Sequence, residues 1–153
     1  MTNPEFRFDE TPISPLMFIE ASAGTGKTYT LQRLVLRFIV EKSIPIESFL
    51  IVTYTEAATA ELSGRVREIL GRAVLGLSPG SESKLTEPER KEFKKLRDKW
   101  THDGITLEEA LDRVRRSLEE FDRCAIYTIH SFCRKMLESW AFSGGNPFEG
   151  EIG

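Results

Sequence analysis

The eight residues Ala21-Ser22-Ala23-Gly24-Thr25-Gly26-Lys27-Thr28 have the types and spacing that wrap a chain of phosphates. They fit the pattern G-x-x-x-x-G-K-[ST] with Ala in place of the first Gly, where a small residue is enough for the tight turn. Backbone N–H groups from Gly24 to Thr28 converge on an anion at the positive end of a new helix, and glycines let the main chain come close. Lys27 is long enough to reach β- and γ-phosphates as a point charge, and the Thr28 hydroxyl is placed to ligand Mg²⁺. ATP with Mg²⁺ is therefore the expected ligand. All eight residues are expected to bind it, and Lys27 and Thr28 carry the chemistry.

Hydrolysis asks for more. An acid at the end of another core strand must hold the metal and orient water, and a cation must meet the γ-phosphate, the latter worth roughly 10³ to 10⁵ in rate. Neither Phe49-Leu50-Ile51-Val52-Thr53 nor Cys124-Ala125-Ile126-Tyr127-Thr128 ends in Asp-Glu. A chain with this sequence alone is expected to bind nucleotide weakly and hydrolyse it negligibly.

The elements that must position the loop are legible around it. Leu16 to Glu20 is a short apolar run that suits a buried parallel strand. From Lys27 to about Lys42, Leu31, Leu34, Val35, Phe38 and Ile39 recur at helical spacing, and Ser43 and Pro45 stop the helix. Phe49 to Thr53 is a second strand, completing a β-loop-α-β unit with a right-handed crossover. Thr55 reads as the N-cap of a helix running to about Leu77. Ser78 to Lys84 is a loop. Thr86 with Glu89, and Thr106 with Glu109, announce two further helices by the capping-box pattern. Between Glu87 and Glu120 acids and bases alternate around a thin apolar stripe, which reads as a solvated helical hairpin resting on the main domain. Cys124 to Thr128 is a third strand and Ile129 to Phe142 a helix with Phe132, Cys133, Met136, Leu137 and Trp140 on its apolar side. Ser143 to Gly153 is Gly-rich and aperiodic. The fold class is α/β: a partial parallel sheet of the P-loop NTPase, RecA-like kind, with flanking helices and an inserted charged hairpin.

Three segments in this order resemble one family. Ile19 to Thr28 resembles the first helicase motif of the RecB branch of the UvrD-like superfamily 1 DNA helicases. Val52-Thr53-Tyr54-Thr55-Glu56-Ala57-Ala58-Thr59-Ala60-Glu61-Leu62 is similar to the family's next motif, and Ala125-Ile126-Tyr127-Thr128-Ile129-His130-Ser131-Phe132-Cys133 to its Thr-Ile-His-Gly-Phe-Cys segment. The resemblance spans about Leu16 to Phe148 and is loosest in the charged hairpin. It implies an ATP-dependent helicase of the exodeoxyribonuclease V type, acting in DNA recombination and repair. It further implies single-stranded and double-stranded DNA as partners, together with other subunits of a RecBCD-like complex. Carried over position by position, Thr53, Tyr54, Thr55, His130, Ser131 and Phe132 are the implied DNA contacts, with Arg65 more distant. In these terms the chain is the N-terminal part of a first motor domain, with a P-loop core over about 16–77 and 123–142 and a helical insertion over about 86–121. The family's Asp-Glu motif, second motor domain, arginine finger and nuclease domain are not in the sequence, so it reads as a fragment. No Gln precedes Lys27 to recognise adenine, the one Gln being Gln32.

The residue types agree with such contacts, and each has a plainer reading. Hydroxyls and helix N-termini bind backbone phosphate without reading sequence, and an aromatic can stack a base for roughly 1 to 3 kcal/mol. Tyr54 and Phe132 read equally as core aromatics. Thr53 and Thr55 read as strand-end and cap residues, and His130 as a polar residue near a helix start.

Composition bounds the rest. With 153 residues, 40% hydrophobic and 29% charged, the chain is globular and suffices for one domain, less than a whole helicase motor. A net charge of -3 gives no long-range attraction for nucleic acid. Cys124 and Cys133 lack metal-ligand or redox spacing and read as reduced core thiols. No apolar run reaches the roughly 18 residues of a membrane span and the first residues do not resemble a signal peptide, so the expected setting is cytoplasmic. Two other classes fit the P-loop: an unrelated phosphotransferase such as a small kinase, or a non-catalytic nucleotide- or DNA-binding module.

Overall fold

A computed structural model describes residues 7, 9–19 and 26–143. Helix α1, Lys27–Lys42, opens on Gly26 in the left-handed conformation (φ 88°) and closes on Ser43, also left-handed (φ 54°), whose N–H bonds the Phe38 carbonyl. Pro45 follows, and a 3₁₀ turn, Ile46–Ser48, leads into strand β1, Leu50–Thr53. Helix α2, Glu56–Leu77, starts at Thr55, whose side chain accepts the Ala58 N–H at 3.1 Å. Helices α3, Glu87–His102, and α4, Leu107–Glu119, both begin with capping boxes, Thr86 with Glu89 and Thr106 with Glu109. A 3₁₀ turn, Phe121–Arg123, delivers strand β2, Ala125–Thr128, and helix α5, Ile129–Ser143.

β1 and β2 pair in parallel, from Leu50 opposite Ala125 to Thr53 opposite Thr128. The crossover between them carries α2, α3 and α4, so both strands end on the same side and feed the starts of α2 and α5. Val66, Leu70 and Ala73 on α2 are fully buried at three- and four-residue spacing, the face that α1 and α4 cover.

Three expectations change. The run Leu16 to Glu20 is not a strand over its described residues, 16–19. Exposure alternates there as in a strand, with Leu16 and Phe18 each 89% exposed and Met17 and Ile19 partly covered. No ladder forms; instead the Ser14 hydroxyl donates to the Leu16 carbonyl at 2.6 Å, a local bond that competes with strand pairing. The sheet of the described residues therefore has two strands.

The charged helices do more than rest on the domain. Phe93, Leu96 and Trp100 of α3 and Ala110 and Val114 of α4 are at most 2% exposed, and they share one continuous core with α1 and α2. Their thin stripe is enough because it is complete at helical spacing, while the charges bond along the outer faces. Finally, Cys133 is exposed: beyond the half-buried Phe132 the apolar side of α5 is uncovered among the described residues, with Leu137, Trp140 and Phe142 open to solvent. Cys124 is half-buried, and burial pushes its thiol pKa up. Residues 144–153, expected to form a loop, lie outside the described residues.

Candidate functional site

The first feature is the turn at the head of α1. Gly26 holds φ 88°, which an L side chain adopts only at a cost of about 1–2 kcal/mol. Gly26, the residue at the N-cap position, has no side chain with which to cap the helix. Lys27 is exposed and Thr28 half-exposed. A glycine-opened helix start with an accessible ammonium and hydroxyl fits a phosphate chain and its metal ion. Ala21, Ser22, Ala23, Gly24 and Thr25 lie outside the described residues. Gln32, on the same helix, is buried with its amide turned to donate to the Arg65 carbonyl at 2.7 Å, a packing role between α1 and α2.

The second feature lies at the carboxyl end of the parallel pair, where open α/β sheets hold their ligands. Thr53 and Thr128 face each other there in the last rung. The Thr53 hydroxyl shares a 2.6 Å bond with that of Thr59, and Thr59 also donates to the Thr55 carbonyl. Thr128 is buried and acts as the N-cap of α5, accepting the Ser131 N–H at 3.1 Å. Its hydroxyl lies 3.2 Å from a Glu56 carboxylate oxygen, and the Ser131 hydroxyl lies 3.4 Å from the same atom. The starts of α2 and α5 are thus tied together, with one carboxylate at the positive ends of both helices.

Among the six residues implied to touch DNA, these bonds engage Thr53, Thr55 and Ser131. Tyr54 stands just beyond β1 and is 86% exposed, so it lies outside the core of the described residues. Phe132 is half-buried and His130 exposed on the first turn of α5. Arg65 points outward and pairs with Glu68 at 3.4 Å. Glu56 and Thr59 complete the network and were not singled out by sequence. Their signal was present, since an acid and a hydroxyl in the first turn of a helix are suited to meet a neighbouring helix start.

The third feature joins α3 to α1. Arg33 makes a bidentate, largely buried pair with Glu92, at 2.6 and 2.8 Å. Arg37, almost wholly buried, pairs in the same manner with Glu41, which also accepts the Trp100 indole N–H and meets Lys99. Burial pushes the Glu41 carboxyl up, but the bonds from Arg37 and Trp100 and the charges of Arg37 and Lys99 outweigh it, and its pKa is lowered. Arg37 further donates to the Thr11 carbonyl at 2.7 Å, pinning the segment around Thr11 onto α1.

Comparison with known proteins follows the same lines. Residues 3–149 match the family model described as UvrD/REP helicase N-terminal domain. The chain is 36% identical over 158 aligned residues to the RecBCD enzyme subunit RecB of Haemophilus influenzae, covering 92% of this chain and 12% of that protein. It is 33% identical to the RecB subunit of Escherichia coli K12, with the same coverage, and 39% identical to that of Chlamydia trachomatis over 82% of this chain and 12% of that protein. The chain therefore spans about an eighth of the length of these relatives.

Proposed function

The chain belongs to the UvrD/REP helicase N-terminal domain family, and from that premise we propose that it is the nucleotide-binding part of a RecB-like, ATP-dependent DNA helicase of the P-loop NTPase fold. The observation that carries the reading is the meeting of Thr53 and Thr128 in one rung. It brings two of the three motif segments to one end of a parallel sheet, the end from which their helices start. The family match over residues 3–149 supports the same assignment for the third segment, residues 21–28.

In this reading residues 21–28 hold the phosphates of ATP, Lys27 meets the β- and γ-phosphates, and Thr28 holds Mg²⁺. The bound metal supplies neutralisation of phosphate charge. Tyr54 offers an exposed aromatic face to a base, while Thr53, Thr55, His130, Ser131 and Phe132 lie at or beside the helix starts that receive backbone phosphate. The phosphate-binding core takes in residues 16–77 and 123–142, and 86–121 form its helical insertion. Turnover of ATP would be coupled to movement along single-stranded DNA in cytoplasmic recombination and repair, within an assembly such as the relatives' printed names describe. The 153 residues by themselves hydrolyse ATP negligibly, since neither strand ends in an acid suited to orient water.

The test is the thermal stability of the chain and of Lys27→Ala with and without saturating Mg·ADP. Binding raises stability by RT ln(1 + [L]/Kd), so a shift in the native chain that disappears in the variant supports the reading. Equal shifts in both sink it.

A further inference from the structure

Three side chains connect α3 to the turn that opens α1. Arg33 donates through Nε and Nη2 to the two carboxylate oxygens of Glu92, and both side chains are nearly out of solvent, at 8% and 12% exposure. Tyr29 lies one turn earlier on α1, its ring under the Arg33 guanidinium at 3.2 Å, its hydroxyl donating to Glu92 at 3.4 Å. The Tyr29 Cβ stands 3.7 Å from where a Cβ on Gly26 would be. Glu92, Arg33 and Tyr29 thus form one bonded group, and Tyr29 stands in the first turn of α1, two residues after Lys27. A bidentate, desolvated Arg–carboxylate pair fixes geometry in a way that exposed pairs do not. The Arg37, Glu41 and Trp100 group joins the same two helices farther along α1 and is separate from Tyr29 in these bonds.

We propose that Glu92 is a positioning residue for the phosphate-binding turn. Through Arg33 and Tyr29 it sets the backbone at Gly26, Lys27 and Thr28, and so makes nucleotide affinity depend on the Glu92 contact itself rather than on the general packing of α3. This inference rests on the reading of that turn as the phosphate site. It gives the charged helix a task at the site, although none of its own residues needs to touch nucleotide.

The experiment measures Mg·ADP affinity by calorimetry, beside the urea midpoint, for the 153-residue chain, for the single variants Lys27→Ala, Glu92→Gln, Tyr29→Phe and Trp100→Phe, and for the double variant Glu92→Gln with Tyr29→Phe. Lys27→Ala should lose binding. Glu92→Gln should weaken it by about 2- to 30-fold, the span of coupling through a packed network. Tyr29→Phe keeps the ring and removes the hydroxyl, so it should weaken binding in the same direction, and the double variant should lose less than the two effects combined. Should Glu92→Gln not fold, Tyr29→Phe decides alone. Trp100→Phe loosens α3 at Glu41 and should lower the urea midpoint with affinity unchanged. Native affinity in both Glu92→Gln and Tyr29→Phe, with Lys27→Ala inactive, overturns the positioning role and leaves the phosphate site standing. A loss in Trp100→Phe equal to that in Glu92→Gln also overturns it, as general loosening. Equal binding by the native chain and Lys27→Ala removes both claims.

Discussion

Thr128, the last residue of β2, lies within hydrogen-bonding distance of Glu56, the first residue of α2, with 3.2 Å between hydroxyl and carboxylate. The contact spans the whole crossover and closes it at its two ends. It also gives a buried hydroxyl two tasks, since the same oxygen caps α5.

Thr128→Val keeps the shape and removes both bonds. Loss of an N-cap costs about 0.5–2 kcal/mol, and the exposed Glu56 carboxylate adds little because water takes the place of the lost hydroxyl. The expected destabilisation is about 0.5–2 kcal/mol in urea unfolding. A change below about 0.5 kcal/mol would mean that the network at the strand ends contributes little.

Tyr54→Ala separates stability from binding. At 86% exposure the ring gives up little packing, so the urea midpoint should move by no more than the equivalent of about 0.5 kcal/mol. Binding of a fluorescent oligothymidine single strand should weaken by about 1–3 kcal/mol if the ring stacks a base. Unchanged binding would remove Tyr54 from the DNA-facing surface.

Three glycines of α2 should respond to alanine with opposite signs. A Cβ at Gly76 would stand 2.5 Å from Phe93 Cγ, so Gly76→Ala overpacks the α2–α3 contact. The expected cost is about 1–3 kcal/mol, set against a helix-propensity gain of about 1 kcal/mol. Gly64 and Gly71 have open space at the same position, and their alanine variants should be stabilised by about 0.5–1 kcal/mol. Thermal melts of the three variants read the difference directly.

Acid should unfold the chain through its bonded carboxylates. Glu89 and Glu109 accept backbone N–H bonds from Thr86 and Thr106 as the largest influence on them, and with Glu41 their pKa values lie below the ordinary glutamate range. Groups depressed in the folded state give stability that is fully present above the unfolded value and is lost as pH falls through the folded one. The urea midpoint should therefore stay level from about pH 7 to the usual glutamate range and decline below it. Glu41→Gln should lower the plateau and make the decline shallower, and an unchanged slope would exclude Glu41 as a contributor.

The helices were legible because their signals are local. Thr55, Thr86 and Thr106 cap where the sequence places them, and the apolar spacing of Leu62, Val66, Ile69 and Leu70 marks the face that packs. Strand existence at Leu16 to Glu20 was not legible, because a strand is completed by a neighbour and by cover, neither of which an apolar pentapeptide specifies. The depth of Phe93 and Trp100 was hidden by the charges around them, which describe the outer face and not the inner one. At the site, the motif residues could be named from their order. Their mutual bonds could not, since Glu56 and Ser131 meet only through the register of two strands far apart in sequence.

Because Leu70, Phe93, Trp100 and Val114 belong to one core, residues 86–121 cannot be trimmed away as an appendage. Heating should dissolve them together with α1 and α2 in one transition. Changes of length are tolerated instead at the two surface turns that bracket α3, at Gly80 and Gly104, where positive φ angles meet open space. Those are the positions at which a tag or a dye can be spliced in without disturbing the interior.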